Sequence, residues 1–199
     1  MSKVNWKPGT MLYPLPAVLV SCGDSEHKNI ITIAWTGTIC SNPPMCYISV
    51  RKERHSYEII KNTREFVINL TTRDLAKATD WCGVRSGADY DKFREMGLTP
   101  VKGECVGAPI IAESPLNIEC KVRDIISLGS HDMFIADVVN VQAEEQLIDQ
   151  ETGKFDLEKV PLIAYSHGQY YELGKHIGKF GWTVERKNKQ RKNRFHKNK

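Results

Sequence analysis

Residues 41–62, SNPPMCYISVRKERHSYEIIKN, decide how the rest of the chain is read. Two prolines lead into a strand-like run. A period of two sets Cys46, Ile48 and Val50 on one face and Met45, Tyr47, Ser49 and Arg51 on the other. The run ends in Arg51, Lys52, Glu53, Arg54, His55 and Ser56, and a helical pattern over 56–61 begins at once. A helix N-terminus carries N–H groups without intrahelical partners and a partial positive charge, so it favours anions. Cations crowded there oppose the helix dipole unless an anion neutralises them. A phosphate does so through bidentate arginine contacts, backbone N–H groups and the hydroxyl of Ser56, which is expected to cap the helix. The competing reading is an exposed basic turn balanced by Glu53, Glu58 and Glu65. Local sequence leaves both open.

Outward from this stretch, strand patterns fill the two ends of the chain and helical patterns the middle. Residues 15–22, LPAVLVSC, form an apolar run closed by the turn signal Gly23-Asp24. Residues 29–35, NIITIAW, are rich in β-branched side chains. Further strands are expected over 65–70, 115–124, 133–142, 162–165 and 169–173. Within 115–124, alternation puts Leu116, Ile118, Cys120 and Val122 on one face. Helices are expected over 73–81 and 86–96. The second spaces Tyr90, Phe93 and Met96 three apart, with Ser86 and Asp89 at capping-box spacing and Gly97 as C-cap. His131 and Asp132 are expected in a tight turn over 129–132. Regular strand–helix alternation is absent, which argues against a parallel sheet. The fold class is therefore mainly β, α+β in content, as an antiparallel barrel with a few short helices.

Hydrophobic residues make up 41% of the 199 and charged residues 26%, enough for a globular core. The net charge of +4 is unevenly spread. Residues 184–199, VERKNKQRKNRFHKNK, carry eight Lys/Arg and one Glu, a net of +7, which leaves −3 on the 183 before them. The expected organisation is one domain over 1–183 and a basic tail over 184–199. Such a tail can bind nucleic acid, but only Phe195 can stack on a base, and a solvated terminus is the preferred reading. No apolar run reaches the ~20 residues of a membrane-spanning helix, so no membrane partner is expected. The N-terminus lacks the apolar segment and cleavage site of a signal peptide. The six cysteines form no C-x-x-C pair and no zinc-finger spacing, so no metal site is expected. Reduced thiols in a cytoplasm fit best.

Phosphate-loop, dinucleotide-fold and nucleophile-elbow motifs are all missing. A second polar–aromatic cluster, Asn29, Thr32, Trp35, Thr36 and Thr38, reads either as ordinary strand formers or as an edge for a flat heteroaromatic ring. The residues alone thus lead to a phosphate-bearing ligand on a β-barrel, and to no reaction.

The order of several pieces goes further. They are PLPAVLVSCGD, NIITIAW, SNPPMCYISVRKERHSYEII and EFVINL, then G-x-x-S-G-x-x-x-D-K-F from Gly83 to Phe93 and APIIAESPLNIECKV from Ala108 to Val122. GSHDMFIADV and Y-x-x-G-Q-Y-Y-E-L-G-K-x-I-G close the set. In this order the chain resembles the flavin reductase-like proteins of the FMN-binding split-barrel superfamily, and among them the flavoredoxin-type branch. The resemblance implies a Greek-key split β-barrel working as a homodimer, with FMN near the dimer interface. It implies a phosphate held by Ser49, Val50, Arg51, Arg54, His55 and Ser56. Ser49 and Arg51, which share a strand face, are the leading pair, and Lys52 points away. The isoalloxazine ring would lie against Asn29, Thr32, Ile33, Ala34, Trp35 and Thr36, and Ser86, Gly87 and Lys92 would reach the flavin. His131 would lie where nicotinamide docks. This chain has Gly-Ser-His there, where many relatives have Gly-Asp-His. The implied activity moves electrons from NAD(P)H through FMN to free flavin, ferric iron or a protein acceptor. An FMN electron carrier without nicotinamide chemistry is the alternative. Further alternatives are a nucleic-acid-binding protein acting through the tail, and a relative that binds haem or oxidises pyridoxamine phosphate. The cofactor carries the redox chemistry, so the lack of a catalytic dyad is expected.

Overall fold

The structure, a computed structural model, describes residues 1–184. The basic tail on which a nucleic-acid reading rests lies outside the described residues, Val184 excepted. In chain order the elements are β1 (Leu15–Pro16), β2 (Val18–Gly23), β3 (Lys28–Ile33), β4 (Thr36–Ser41), β5 (Pro44–Arg51), α1 (His55–Thr63), β6 (Glu65–Asn69), α2 (Ala76–Val84), α3 (Lys92–Met96), β7 (Pro100–Val101), β8 (Ile110–Ile111), β9 (Leu116–Ser127), β10 (His131–Ala143), β11 (Ile163–Ser166) and β12 (Gln169–Glu172).

Seven strands pair antiparallel in the order β3-β2-β6-β9-β10-β5-β4. The outermost strands, β3 and β4, are consecutive in the chain and joined by Ala34 and Trp35 alone. That link spans at most about 11 Å, so the sheet must curl until its edges approach. The Ser49 N–H donates to the Trp35 carbonyl at 2.9 Å, which ties the corner to β5. No ladder joins β3 to β4, so the barrel stays split. The fold is a mainly β split barrel with short helices, as the sequence reading expects.

β5 follows its alternation: Cys46, Ile48 and Val50 are buried with Val20, Ile31, Phe66, Cys120 and Phe134 from the other strands. Tyr57 and Ile60 of α1 pack onto this core. The Tyr57 hydroxyl donates to Asp132 Oδ2 at 2.6 Å, and Lys52 Nζ lies 3.3 Å from Asp132 Oδ1. These contacts anchor the first turn of α1 to the start of β10. β2 and β3 are buried on both faces, because Leu19 and Ile30 meet Leu75, Ala78, Cys82 and Phe93 in a second core. This explains why LPAVLVSC reads as a continuous apolar run.

Four local expectations are corrected. The helix expected over 86–96 forms only at Lys92–Met96, capped by Asp91, whose carboxylate accepts from the Arg94 N–H at 3.2 Å. Upstream, Gly87 sits so close to Asn29 that a Cβ there would lie 2.1 Å from Asn29 Oδ1, and the chain takes a loop around that contact. Ser56 does not cap α1. Arg54 holds the N-cap position without a side-chain bond, and Ser56 is buried inside the first turn. His131 is the first residue of β10, paired with Arg51, and Gly129 at φ 91° makes the turn instead. β4 was not expected, because Gly37 and a bulge between Thr38 and Cys40 blur its pattern.

Candidate functional site

A cavity of about 140 Å³ opens at the N-terminus of α1. Asn29 from β3, Arg54, His55 and Ser56 from the start of α1, Ser86 and Gly87 from the loop after α2, and Lys92 from α3 all line it. Seven of the residues expected to bind a flavin therefore meet at one place, drawn from segments spread between Asn29 and Lys92. Ile31, Glu53, Cys82, Gly83 and Arg85 complete the wall and were missed. The signal for two of them was present, since Gly83 and Arg85 lie inside the G-x-x-S-G stretch.

The floor is polar and buried. Asn29 is 4% exposed and Ser56 1%, and the Asn29 amide donates to Ser56 Oγ at 2.8 Å. Lys92 is 4% exposed, and its ammonium donates to the Cys82 carbonyl at 2.7 Å, at the C-terminal end of α2. Burial holds the Lys92 pKa below the usual lysine range, and the Arg54 charge pushes it the same way. The nearby thiols are no counter-ions, because burial pushes Cys22 up to about 12 and Cys82 up to about 11. Arg54, Arg85 and Lys92 thus face one carboxylate, Glu53, across the cavity. The helix end beside them has no side-chain cap. The space equals roughly four to five times the ~30 Å³ share of a water molecule. Charge, donors and volume all suit a phosphate group.

A second group lies at the β3–β4 corner. The rings of Trp35 and His131 approach to 4.6 Å between centroids, tilted by 38°. Ser130 Oγ lies 2.9 Å from His131 Nδ1. Burial lowers the His131 pKa, and the charges of Arg51 and Arg54 add to this against Glu53, so the imidazole is neutral near pH 7. Arg51 stands outside the cavity wall, with its guanidinium 3.3 Å from Glu53. Ser49 and Trp35 line a separate apolar hollow of about 600 Å³ with Met11, Leu12, Tyr47 and Met133. The Thr32 hydroxyl donates to the Thr79 carbonyl at 2.5 Å and that of Thr36 to the Tyr47 carbonyl at 2.6 Å. Both hydroxyls are therefore occupied by backbone. Ile33 and Val50 point their side chains into the barrel core, which leaves only their backbone for a ligand. Ala34 is half-buried at the corner between them.

Comparison with known proteins bears on this geometry. Residues 10–174 match the flavin reductase like domain. The chain belongs to the flavin reductase-like family. Its structure resembles flavoredoxin of Desulfovibrio vulgaris (Miyazaki F) with a TM-score of 0.84 and 33% identity, over 92% of this chain and 100% of that one. Flavoredoxin from Methanosarcina acetivorans gives a TM-score of 0.83 and 27% identity, over 93% and 100%. The reductase component of 4-nitrophenol 4-monooxygenase/4-nitrocatechol 2-monooxygenase from Rhodococcus opacus is 29% identical over 112 residues, 56% of this chain and 57% of that one. In this member of the flavin reductase-like family, the cationic cavity lies at the start of α1 and the Trp35–His131 pair at the β3–β4 corner of the split barrel.

Proposed function

We propose that the chain is an FMN-binding oxidoreductase that accepts electrons from NAD(P)H and delivers them to free flavin, ferric iron or a protein acceptor. The observation that carries this reading is the cavity of Arg54, Arg85 and Lys92 at the uncapped start of α1, in a chain that shares its fold with flavoredoxins. Arg54 and Lys92 bind the phosphate, with Arg85 and the first N–H groups of α1 beside them. Ser56 and Asn29 form its polar floor, and His55, Ser86 and Gly87 its rim. When bound, the flavin supplies the electron-accepting centre. The backbone from Thr32 to Thr36 edges the ring, and Trp35 gives it an apolar wall. Ser49 and Arg51 lie at the ring's side of the corner, where the Arg51 charge favours electron density. His131 stays neutral, with one ring nitrogen held by Ser130 and the other free to meet a nicotinamide.

The assembly in this reading is a homodimer. Ile39, Ile126, Leu128, Val139 and Val141 are 37–58% exposed on β4, β9, β10 and the turn between the last two, an apolar surface suited to a second copy. No described helix is long and apolar enough to cross a membrane. The free cysteines suit a reducing compartment such as the cytoplasm.

A second reading, an FMN electron carrier without nicotinamide chemistry, is favoured by Ser130. A hydroxyl at His131 Nδ1 gives no charge support to an imidazolium, whereas a carboxylate would. Anaerobic stopped-flow mixing with NADH and with NADPH separates the two. Bleaching of the flavin band supports the reductase. No bleaching with either, while dithionite bleaches the same sample, supports the carrier.

A further inference from the structure

We infer that the protein has a second binding site, away from the flavin cavity, for an elongated zwitterion with an apolar body, of the class of short apolar peptides with free termini. A cavity of about 640 Å³ lies at the start of α2 and the end of α3. Leu75 and Ala78 line it from the start of α2, and Met96 and Gly97 from the end of α3. The phosphate cavity takes Cys82 near the end of α2 and Lys92 at the start of α3. The two spaces thus sit at opposite ends of the same pair of helices and share no wall residue.

The floor is apolar, built from buried Leu75, Ala78, Leu98 and Leu147. The charges on the rim are sorted by end. Glu95, Glu113 and Glu144 stand at the α3 end. Glu113 is fixed there, its carboxylate accepting from the Thr99 N–H at 3.0 and 3.1 Å. Glu144 is held beside it, because its backbone N–H donates to the Pro115 carbonyl at 3.0 Å. The carbonyls that end α3 add partial negative charge. Arg94, 3.3 Å from Glu95, stands outside the wall. At the α2 end stand Lys77, Lys159 and Asp74. The Pro161 carbonyl accepts from the Arg73 N–H at 3.1 Å, which holds the Lys159 segment against the start of α2. Lys159 lies 3.4 Å from Asp156, and Asp74 lies 4.0 Å from Arg73. Lys77 makes no ion pair among the described residues, and α2 begins without a side-chain cap. One end therefore suits an ammonium, the other a carboxylate, and the floor between them an apolar chain. A free α-amino acid carries both charges on one carbon, so the separated ends select a longer molecule. An extended tripeptide spans about 10 Å, and the cavity lies within the ~300–1,000 Å³ of small-molecule sites.

The test is calorimetric titration of the full-length protein with the tripeptide Leu-Ala-Leu, its N-acetyl form and its C-terminal amide. The free tripeptide is expected to bind with a Kd below about 1 mM. Blocking the amine or the carboxylate should each weaken binding about tenfold or more. Glu95→Gln and Glu113→Gln should weaken the free tripeptide and leave the N-acetyl form within about twofold. Lys77→Met should weaken the free tripeptide and leave the amide within about twofold. All three positions are exposed, and denaturant melts check that each variant folds. The inference is overturned if the free tripeptide shows no binding below about 1 mM, if the three peptides bind equally, or if every variant weakens all three alike. The site shares no residue with the flavin cavity, so FMN titration of the same variants is expected to match wild type and either site can fail alone.

Discussion

Lys92 carries the electrostatics of the cavity. A buried ammonium held below its ordinary pKa and bonded to one carbonyl has two donors left for an anion. Lys92→Ala is expected to weaken FMN by about 1.5–3 kcal/mol while riboflavin, which lacks the phosphate, changes little. Arg54→Ala should act in the same way. Arg51→Ala should cost less, because its guanidinium pairs with Glu53 outside the cavity wall. Comparative titration of the three variants with both flavins checks this ranking. A pH dependence follows with a definite sign. A bound phosphate raises the depressed Lys92 pKa, so the complex holds more protons than the free protein between the two values. FMN affinity relative to riboflavin should therefore fall as the pH rises from neutral toward the ordinary lysine range, and Lys92→Met should flatten the profile. The identities of these residues were legible in the sequence, but their grouping was not. Asn29, Ser56 and Lys92 share no spacing that local periodicity can read, and only the fold and a family resemblance bring them together.

At the scale of elements, the strands were the most legible feature. β5 alternates because one face lies in the barrel core, and β2 reads as continuously apolar because both faces are covered. Legibility failed where a long-range contact overrides local preference. The 86–96 segment has the spacing of a helix, yet Gly87 must approach Asn29 more closely than any side chain allows. The outer face of β9 likewise looks solvent-facing, but Glu119 is fully buried. Burial alone would raise its pKa. Amide donors from Gln142 and Asn140 and backbone N–H groups of Cys105 and Glu104 outweigh that and lower it. The loop over β9 is folded around that carboxylate, which no local pattern announces. Gly87→Ala tests the role of the loop. Its Cβ would collide with Asn29 Oδ1, so unfolding stability should fall by about 1–3 kcal/mol. FMN binding should weaken together with it. Denaturant melts and flavin titration of the same variant check both.

The described residues form a curled sheet whose two edges are joined by a two-residue corner that carries Trp35 and its His131 partner, with the cationic cavity at the start of α1. In the proposed reading a phosphate occupies the cavity and a flat ring the corner, and no catalytic dyad is needed. The curled sheet also leaves an apolar outer surface on β9, β10 and β4, so light scattering at micromolar concentration should report twice the 22.6 kDa chain mass. A monomeric mass would remove the homodimer. The central claim is that the cavity at α1 holds the phosphate of a flavin. The most direct measurement is a visible-absorption titration of the flavin-stripped protein with FMN and, in parallel, with riboflavin. A perturbed flavin band that saturates at one FMN per chain, with riboflavin binding far more weakly, is the predicted result. A spectrum unchanged by FMN, or equal affinity for the two flavins, would contradict the account.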